Sequence, residues 1–352
     1  FSQLGHEAVS KPGVRDAQVQ HGEEHRGCHQ ADHVPISKRR CASVKQVPVD
    51  TVLSTRRPRG VPSPTELRLA LPKGRMQRGV LDLLHDAGID VRVNERGYRP
   101  GLSWPACDVK ILKPQNILEM VRAGSRDVGF AGADWVEELG YGDHPNLVEL
   151  LDTHLDAVRV VAAAPSVILR DGQLPPRHLV VAAEMPRLAQ RWVDQRGLNA
   201  SILRTYGATE VFPPDDADCI VDIAATGDTL KANKLDVIDV LLHSSTRLYA
   251  SRKALDDPAR RSRIEELVLL LESAIEARRR VMLDLNVAPV DLDRVLEVLP
   301  CLRQPTIAPL RGDAGYAVRA AVPRAELHQL IPALKAAGAT DLVVMSPVQL
   351  VR

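Results

Sequence analysis

The sequence predicts an α/β protein built largely on parallel strands. Short runs rich in Val, Ile, Leu and Ala recur between Leu67 and Ser251, each followed by a turn and then a helix-period pattern. Strand and helix alternating at this spacing imply parallel sheets covered by helices. One long helical segment, Arg260–Arg280, interrupts the alternation. Its stripe of Ile264, Leu267, Leu271 and Ile275 reads as a connector. Beyond it the periods give strand 281–286, helix 291–299, strands 305–309 and 316–322, helix 324–337 and strand 341–345. That βαββαβ order is the ferredoxin-like split arrangement.

The first strand begins at Leu67. It ends in the Pro72-Lys73-Gly74-Arg75 turn, and the helix that follows carries Val80, Leu83 and Leu84 on one face and closes at Gly88. Two cations between a strand and a helix start suit a polyphosphate, although a solvated basic turn has the same composition. Val109–Lys113 is a strand ending in a cation and Pro114, with a helical turn over Gln115–Val121. Arg126–Asp134 is another strand, glycine and helix start. Leu155–Ala164 reads as a crossover strand into a second lobe, where His178–Ala183, Pro186–Arg196 and Ser201–Arg204 read β-α-β. Asp236–Leu242 and Thr246–Ser251 then return to the first lobe.

Composition sets bounds on function. The 352 residues are 45% hydrophobic and 26% charged, enough for two or three soluble domains. A formal net charge of +1 and 3% aromatic residues give neither a nucleic-acid footprint nor a base-stacking platform. No apolar run reaches membrane-span length, so no membrane association is expected. The five cysteines are scattered without C-x-x-C pairing, as reduced thiols in a cytoplasmic protein would be. Residues 1–64 carry 10 Lys and Arg against 6 Asp and Glu, begin with Phe1 and lack apolar periodicity. A disordered leader outside the fold is expected there, an extension upstream of the natural start. His21, His25, Cys28, His29 and His33 have metal-like spacing. A helix carrying them would have no apolar face to pack, so no native metal site is expected.

The most informative stretch is Gly207–Leu235. Cys219–Ile223 is a short apolar strand ending at Asp222, followed by the small-residue loop Ala225-Thr226-Gly227-Asp228-Thr229 and a helix start at Leu230. A strand, small loop and helix N-terminus present free backbone N–H groups to an anion. Taken alone, the loop is equally readable as an N-capped turn, with Thr226 or Asp228 capping the helix. The acidic lead-in of Glu210, Asp215, Asp216, Asp218 and Asp222 favours the phosphate reading. Carboxylates beside a phosphate cradle suit a sugar phosphate accompanied by Mg²⁺.

These residues resemble the phosphoribosyl-pyrophosphate loop of the ATP phosphoribosyltransferase family. The match covers Gly207 and Glu210, Ala217-Asp218-Cys219-Ile220-Val221-Asp222, and Thr226-Gly227-Asp228-Thr229-Leu230. Pro213-Pro214-Asp215-Asp216 departs from it where a small apolar turn with glycine is expected. Leu71-Pro72-Lys73-Gly74-Arg75, the Lys113-Pro114 pair, Asp127 to Asp134, and Pro305-Thr306-Ile307-Ala308-Pro309-Leu310 also match family elements. The resemblance spans 67–352 and implies the long form. That form has a two-lobed catalytic core like a periplasmic binding protein, followed by an ACT-like regulatory domain. It places lobe I at 67–156 and 234–255, lobe II at 157–233, the connecting helix at 256–280 and the regulatory domain at 281–352. It implies that Asp222, Asp218 and Glu210 serve catalysis, and that Asp222 and Ala225–Thr229 bind phosphoribosyl pyrophosphate. Lys73, Gly74, Arg75, Lys113, Asp127, Gly132 and Asp134 are then expected at ATP. Mg²⁺ is expected through the substrate, with Asp218 or Asp222 as the candidate protein ligand. It further implies a homohexamer built from dimers and feedback inhibition by histidine at Asn286, Leu302, Thr306, Ala321 and Asp341. A phosphoribosyltransferase for another base, a two-lobed binding protein and an effector-sensing subunit with a vestigial loop are the competing classes.

Overall fold

The computed structural model describes residues 66–92 and 98–352; the reading of the leader lies outside them. Eight strands form one mixed sheet in the order β4-β1-β5-β10-β6-β9-β7-β8. At one end β1 (Leu67–Pro72) lies parallel to β4 (Cys107–Leu112) and β5 (Val128–Gly132). At the other, β7 (Leu179–Ala183) lies parallel to β8 (Ala200–Arg204) and β9 (Cys219–Ala224). Between them run β6 (Leu147–Pro165) and β10 (Leu235–Ser251), paired antiparallel over nearly their whole length. The parallel strands expected from the sequence are therefore joined into one sheet by an antiparallel centre. The short pair β2 (Val91–Arg92) and β3 (Gly101–Leu102) stands apart.

Two lobes follow from this pairing. β5 binds β10 at Thr246–Ala250, and β9 binds β6 at Arg159–Ala163. β10 therefore runs beside lobe II through His243 and reaches lobe I only near Ser244–Thr246, later than the expected return at 234. The two segments assigned to its strands, 236–242 and 246–251, are one strand bent by register shifts.

Each lobe has its own core. In lobe I, α1 (Arg75–Asp86) buries Val80, Leu83 and Leu84 against Leu67, Leu69, Leu71 and Phe130. The helix ends as its sequence predicts, with Gly88 at φ 80° and its N–H bonded to the His85 carbonyl at 2.9 Å. On the opposite face of the sheet, α2 (Pro114–Arg122) packs Ile117, Leu118 and Val121 against Ala70 and Ala131. In lobe II, α4 (Pro186–Arg196) packs Leu188, Trp192 and Val193 against Val181, Cys219 and Val221. The shorter α3 (Ala133–Leu139), α5 (Asp228–Ala232) and α6 (Arg252–Leu255) complete the core. The expected connector is α7 (Pro258–Arg279), capped by the Asp257 carboxylate on the Ala259 and Arg260 N–H groups. Its Ile264, Leu267, Leu271 and Ala274 belong to the lobe I core, so it is a wall of that lobe as well as a link.

After α7 come β11 (Arg280–Val287), α8 (Leu292–Val298), β12 (Thr306–Pro309), β13 (Tyr316–Pro323), α9 (Leu327–Ala336) and β14 (Ala339–Met345). They form a four-stranded sheet in the order β12-β13-β11-β14. Val281, Leu283, Leu285 and Val287 alternate inward against the two helices.

One expected ATP contact has a different role. Asp127 precedes β5, at the end remote from the strand's C-terminal loop, and is fully buried. It accepts the Arg68 backbone N–H at 2.8 Å and the Arg68 Nε–H at 3.0 Å, and Arg260 Nη1 lies 3.4 Å away. The carboxylate ties β1, β5 and α7 together while both cations retain some exposure. Removing it leaves Arg68 with only the Gly124 carbonyl and Arg260 with only the more distant Asp257, at a cost of about 3 kcal/mol. Asp127→Ala should lower Tm by roughly 6–12 °C while leaving KM for ATP unchanged. Thermal denaturation and steady-state kinetics of the purified variant check both halves.

Candidate active site

In sheets of this kind ligands sit beyond the C-terminal ends of the strands. For lobe II those ends are Ala183, Arg204 and Ala224. Ala183 is paired in register with Val221, so the next residues along the two parallel strands, Glu184 and Asp222, are neighbours. Asp222 accepts the Ile223 N–H at 2.7 Å and a hydroxyl bond from buried Thr209, whose own hydroxyl lies 2.8 Å from that of Thr205. Burial, helped by the charges of Glu184 and Glu210, pushes the Asp222 carboxyl up to about 6. Three carboxylates thus surround one strand end, and a cation or hydroxyl donors there would relieve their repulsion. Glu184, Thr205 and Thr209 were not legible as site residues. They lie 13 to 38 positions before Asp222 in the chain and join it only through strand pairing.

The loop after β9 is open. Ala225, Thr226, Asp228 and Thr229 are exposed. Gly227 has φ 86°, a left-handed conformation that any other L side chain would strain. No atom would lie within 4 Å of a Cβ there, so the backbone is approachable from outside. Thr226 donates its hydroxyl to the Asp228 carboxylate at 2.7 Å, an internal bond that an incoming phosphate would have to displace. α5 spans only five residues, so its dipole is small. An anion placed here would meet loop N–H groups more than the helix end assumed from the sequence. The Pro213–Asp216 departure closes as a tight turn, with the Asp216 N–H bonded to the Phe212 carbonyl at 2.8 Å.

Lobe I presents cations at its own strand ends. Lys73 follows β1 and is exposed, its N–H bonded to the Leu112 carbonyl at 2.8 Å and its ammonium 5.1 Å from the Tyr98 ring centre. Gly74 adopts φ 91° before α1, Arg75 opens that helix, and Lys113 caps α2. Lys73 and Arg75 thus flank one strand end, and Lys113 stands at the adjacent one.

Asp218 is not brought to the strand ends, and Gly132 and Asp134 reach the end of β5 beside Lys73 only as packed, buried groups. Asp218 lies before β9, about 13 Å from Asp222 at the usual rise per residue. It is occupied by Arg177 Nη2 at 2.6 Å and the Val180 N–H at 2.8 Å. It is a clasp at the far end of the strand, which removes it from direct catalysis or metal contact. Asp134 is fully buried and bonded to the Ser244 hydroxyl at 2.7 Å. Gly132 makes room for it, because a Cβ there would fall 2.0 Å from the Asp134 carboxylate. Together they pack α3 onto β10. Among the described residues no three His, Cys, Asp or Glu side chains converge on a metal position. Burial pushes the Cys107 and Cys219 thiols up to about 12, so neither offers a thiolate nucleophile at neutral pH. No helix among the described residues is long and apolar enough to cross a membrane.

The raised Asp222 carboxyl carries a stability consequence. A group whose folded pKa lies above its unfolded value stabilises the fold while protonated, below pH about 4. That contribution is lost as pH rises through 6. About two pKa units correspond to roughly 3 kcal/mol. Asp222→Asn should therefore match or exceed the parent's stability at pH 8, with the advantage vanishing near pH 4, while turnover is lost. Denaturant titrations at the two pH values measure this.

Comparison with known proteins shows the family. A family model described as ATP phosphoribosyltransferase matches residues 113–273, and one described as HisG, C-terminal domain, matches 277–347. The ATP phosphoribosyltransferase of Pelotomaculum thermopropionicum is 36% identical over 285 residues, covering 79% of this chain and 96% of that protein. That of Chlorobium chlorochromatii is 37% identical over 283 residues, covering 78% and 94%. Among solved structures, the ATP phosphoribosyl transferase (HisG:HisZ) complex from Thermotoga maritima is similar with a TM-score of 0.50 and 25% identity, over 58% of this chain and 98% of that one. With a catalytic core followed by the C-terminal domain, the chain belongs to the ATP phosphoribosyltransferase family in its long form.

Proposed function

We propose that this protein joins adenine N1 of ATP to C1 of phosphoribosyl pyrophosphate, releasing pyrophosphate, as the first step of histidine biosynthesis. The observation that carries the reading is the pairing of Asp222 with the open Gly227 loop at one strand end. Asp222 accepts hydrogen bonds from the ribose hydroxyls, and the Ala225–Thr229 N–H groups hold the 5′-phosphate. Lys73, Arg75 and Lys113 balance the charge of the triphosphate and of the departing pyrophosphate, with Gly74 giving the turn its path. No covalent nucleophile is required. Orienting the two substrates and stabilising the developing charge carry most of such a displacement. Glu210 and Glu184 act through Asp222, whose ionisation they oppose.

The site suits Mg²⁺ arriving on the pyrophosphate. It offers hard carboxylate oxygens at Asp222, Glu184 and Glu210, and the described residues form no all-protein cage. When bound, the ion would neutralise the leaving group. The scattered free thiols Cys107, Cys219 and Cys301 fit a cytoplasmic enzyme. The direct test mixes protein, ATP, phosphoribosyl pyrophosphate and Mg²⁺ and follows phosphoribosyl-ATP by ultraviolet absorbance. Thr226→Ala combined with Gly227→Val should abolish turnover with the fold retained, the strained Val lowering Tm by roughly 2–12 °C. Normal turnover in that variant would sink the loop assignment.

The C-terminal domain is read as a histidine-binding regulatory module. Asn286 donates to the Asp341 carboxylate at 3.0 Å, so Asp341 stands where it can supply the charge that Asn286 lacks for an ammonium group. The Leu302 N–H bonds the Ala321 carbonyl at 3.1 Å, and Ala321 pairs with Met282, four residues along β11 from Asn286. Thr306 is exposed on the edge strand β12. Asn286 with Asp341 and Leu302 with Ala321 thus form two separate groups on one chain, and a neighbouring copy would bring the groups together. Ile307, Val343 and Met345 remain exposed on this sheet, an apolar surface that fits assembly into a homohexamer from dimers. Asp341→Ala should raise the histidine inhibition constant about ten-fold without lowering uninhibited turnover. Superimposable histidine titrations of variant and parent would remove Asp341 from the effector site.

A further inference from the structure

β6 holds two non-glycine residues in the left-handed region, His154 at φ 56° and Asp156 at φ 49°, where β6 and β10 pass from one lobe to the other. Such conformations are uncommon outside glycine and concentrate at functional sites. Asp156 is gripped from three sides. Its backbone carbonyl accepts Arg75 Nη1 at 2.8 Å. Its carboxylate accepts the hydroxyl of buried Thr246 on β10 at 2.9 Å. It also lies against Gly79, one turn along α1 from Arg75, where a Cβ would come within 3.3 Å of the carboxylate. A glycine inside a helix is unfavourable, and here its missing side chain lets the Asp156 carboxylate approach the helix. Arg75 and Gly79 are thus i and i+4 on one face of α1, both meeting the same residue.

We propose that Asp156, locked by Thr246, is a positioning residue that holds the Arg75 guanidinium at the cleft by turning its own carbonyl toward it. The left-handed backbone aims the carbonyl at α1, and the Thr246 hydroxyl keeps that conformation populated. One Arg75 N–H group is spent on the carbonyl, which fixes the direction of the remaining donors toward a polyphosphate. The anchor lies on the segment joining the lobes, so Arg75, carried by a lobe I helix, keeps its place relative to the crossover strands. The inference rests on the reading that Arg75 meets the triphosphate or the pyrophosphate.

The experiment compares Thr246→Val, Thr246→Ser, Arg75→Ala and the Thr246→Val/Arg75→Ala double variant in the full chain. Readouts are kcat/KM for ATP, the melting curve and the Arg75 side-chain NMR signal, identified by its loss in Arg75→Ala. Thr246→Val should lower kcat/KM for ATP about ten-fold and move the Arg75 signal toward that of a free arginine. Thr246→Ser, which keeps the hydroxyl, should stay within about two-fold of the parent. In the Arg75→Ala background Thr246→Val should change nothing further. An unmoved Arg75 signal in Thr246→Val, or an equal loss of kcat/KM with and without Arg75, would overturn the proposal. Should Thr246→Val not fold, Asp156→Ala is read by the same three measures and against the same outcomes. Parental kinetics in Arg75→Ala, with the signal still moved by Thr246→Val, would instead refute the role given to Arg75 while leaving the positioning contact standing.

Discussion

The structure depends on the antiparallel pairing of β6 with β10. Neither lobe closes a sheet alone. Lobe I attaches its β5 to one half of β10, and lobe II attaches its β9 to one half of β6. The ladder between the two long strands is the shared backbone of both lobes, and its register shifts lie where the chain passes from one to the other. Bulges bend and twist a strand, so the same features that interrupt the pairing set how the two walls face each other. Hydroxyl-to-acceptor bonds brace this region, from Thr153 to the Thr246 carbonyl and from Ser245 to Asp152 at 2.7 Å. They satisfy polar groups where the regular ladder breaks.

Charge is divided between the walls in a way that suits the reaction. Lobe I ends its strands in Lys73, Arg75 and Lys113, whereas lobe II gathers Glu184, Asp222 and the neighbouring Glu210 at the ends of β7 and β9, with Arg204 at its edge strand β8. A sugar polyphosphate carries both hydroxyl donors and strongly anionic groups. Lobe II carboxylates on the hydroxyls, its loop on the 5′-phosphate and the lobe I cations on the pyrophosphate would together orient it in one direction. The carboxylate cluster opposes its own ionisation, and natural sites often accept a local loss of stability of this kind for function. Asp127 and Asp218 show the contrasting use of the same side chain. Paired with arginines at the far ends of their strands, they hold strand and helix in place and have no direct access to the loops.

The long form adds a second level of organisation. α7 is built into the lobe I core and leads directly into β11, so the C-terminal domain is fastened to the lobe that carries the cationic wall. The C-terminal end returns to the same helix, with the Leu350 N–H on the Ser273 carbonyl at 3.0 Å and Arg352 on Glu276 at 2.6 Å. Both ends of the C-terminal domain are therefore tied to one helix.

The strand and helix segments of the core and the βαββαβ tail were legible in the sequence. Period and turn chemistry are local properties: apolar runs ended by Gly88, the Lys113-Pro114 pair and Gly132 reveal the elements directly. The strand ending near Asp222 and the Thr226–Thr229 loop after it were legible for the same reason, since they lie within eight residues of one another. What the sequence could not assign was which end of a strand a carboxylate would occupy, or which cation it would meet. Asp127 and Asp218 carried the right chemistry and matched the family's spacing, yet Arg68, Arg260 and Arg177 reach them only across the fold. Glu184 and Thr209 became neighbours of Asp222 through parallel pairing and a returning loop, and Asp156 met Arg75 through a left-handed turn in a bulged strand. Local periodicity determines the elements because it depends on neighbours a few residues apart. The register of distant strands determines the site, because it decides which of many chemically equivalent side chains share one strand end.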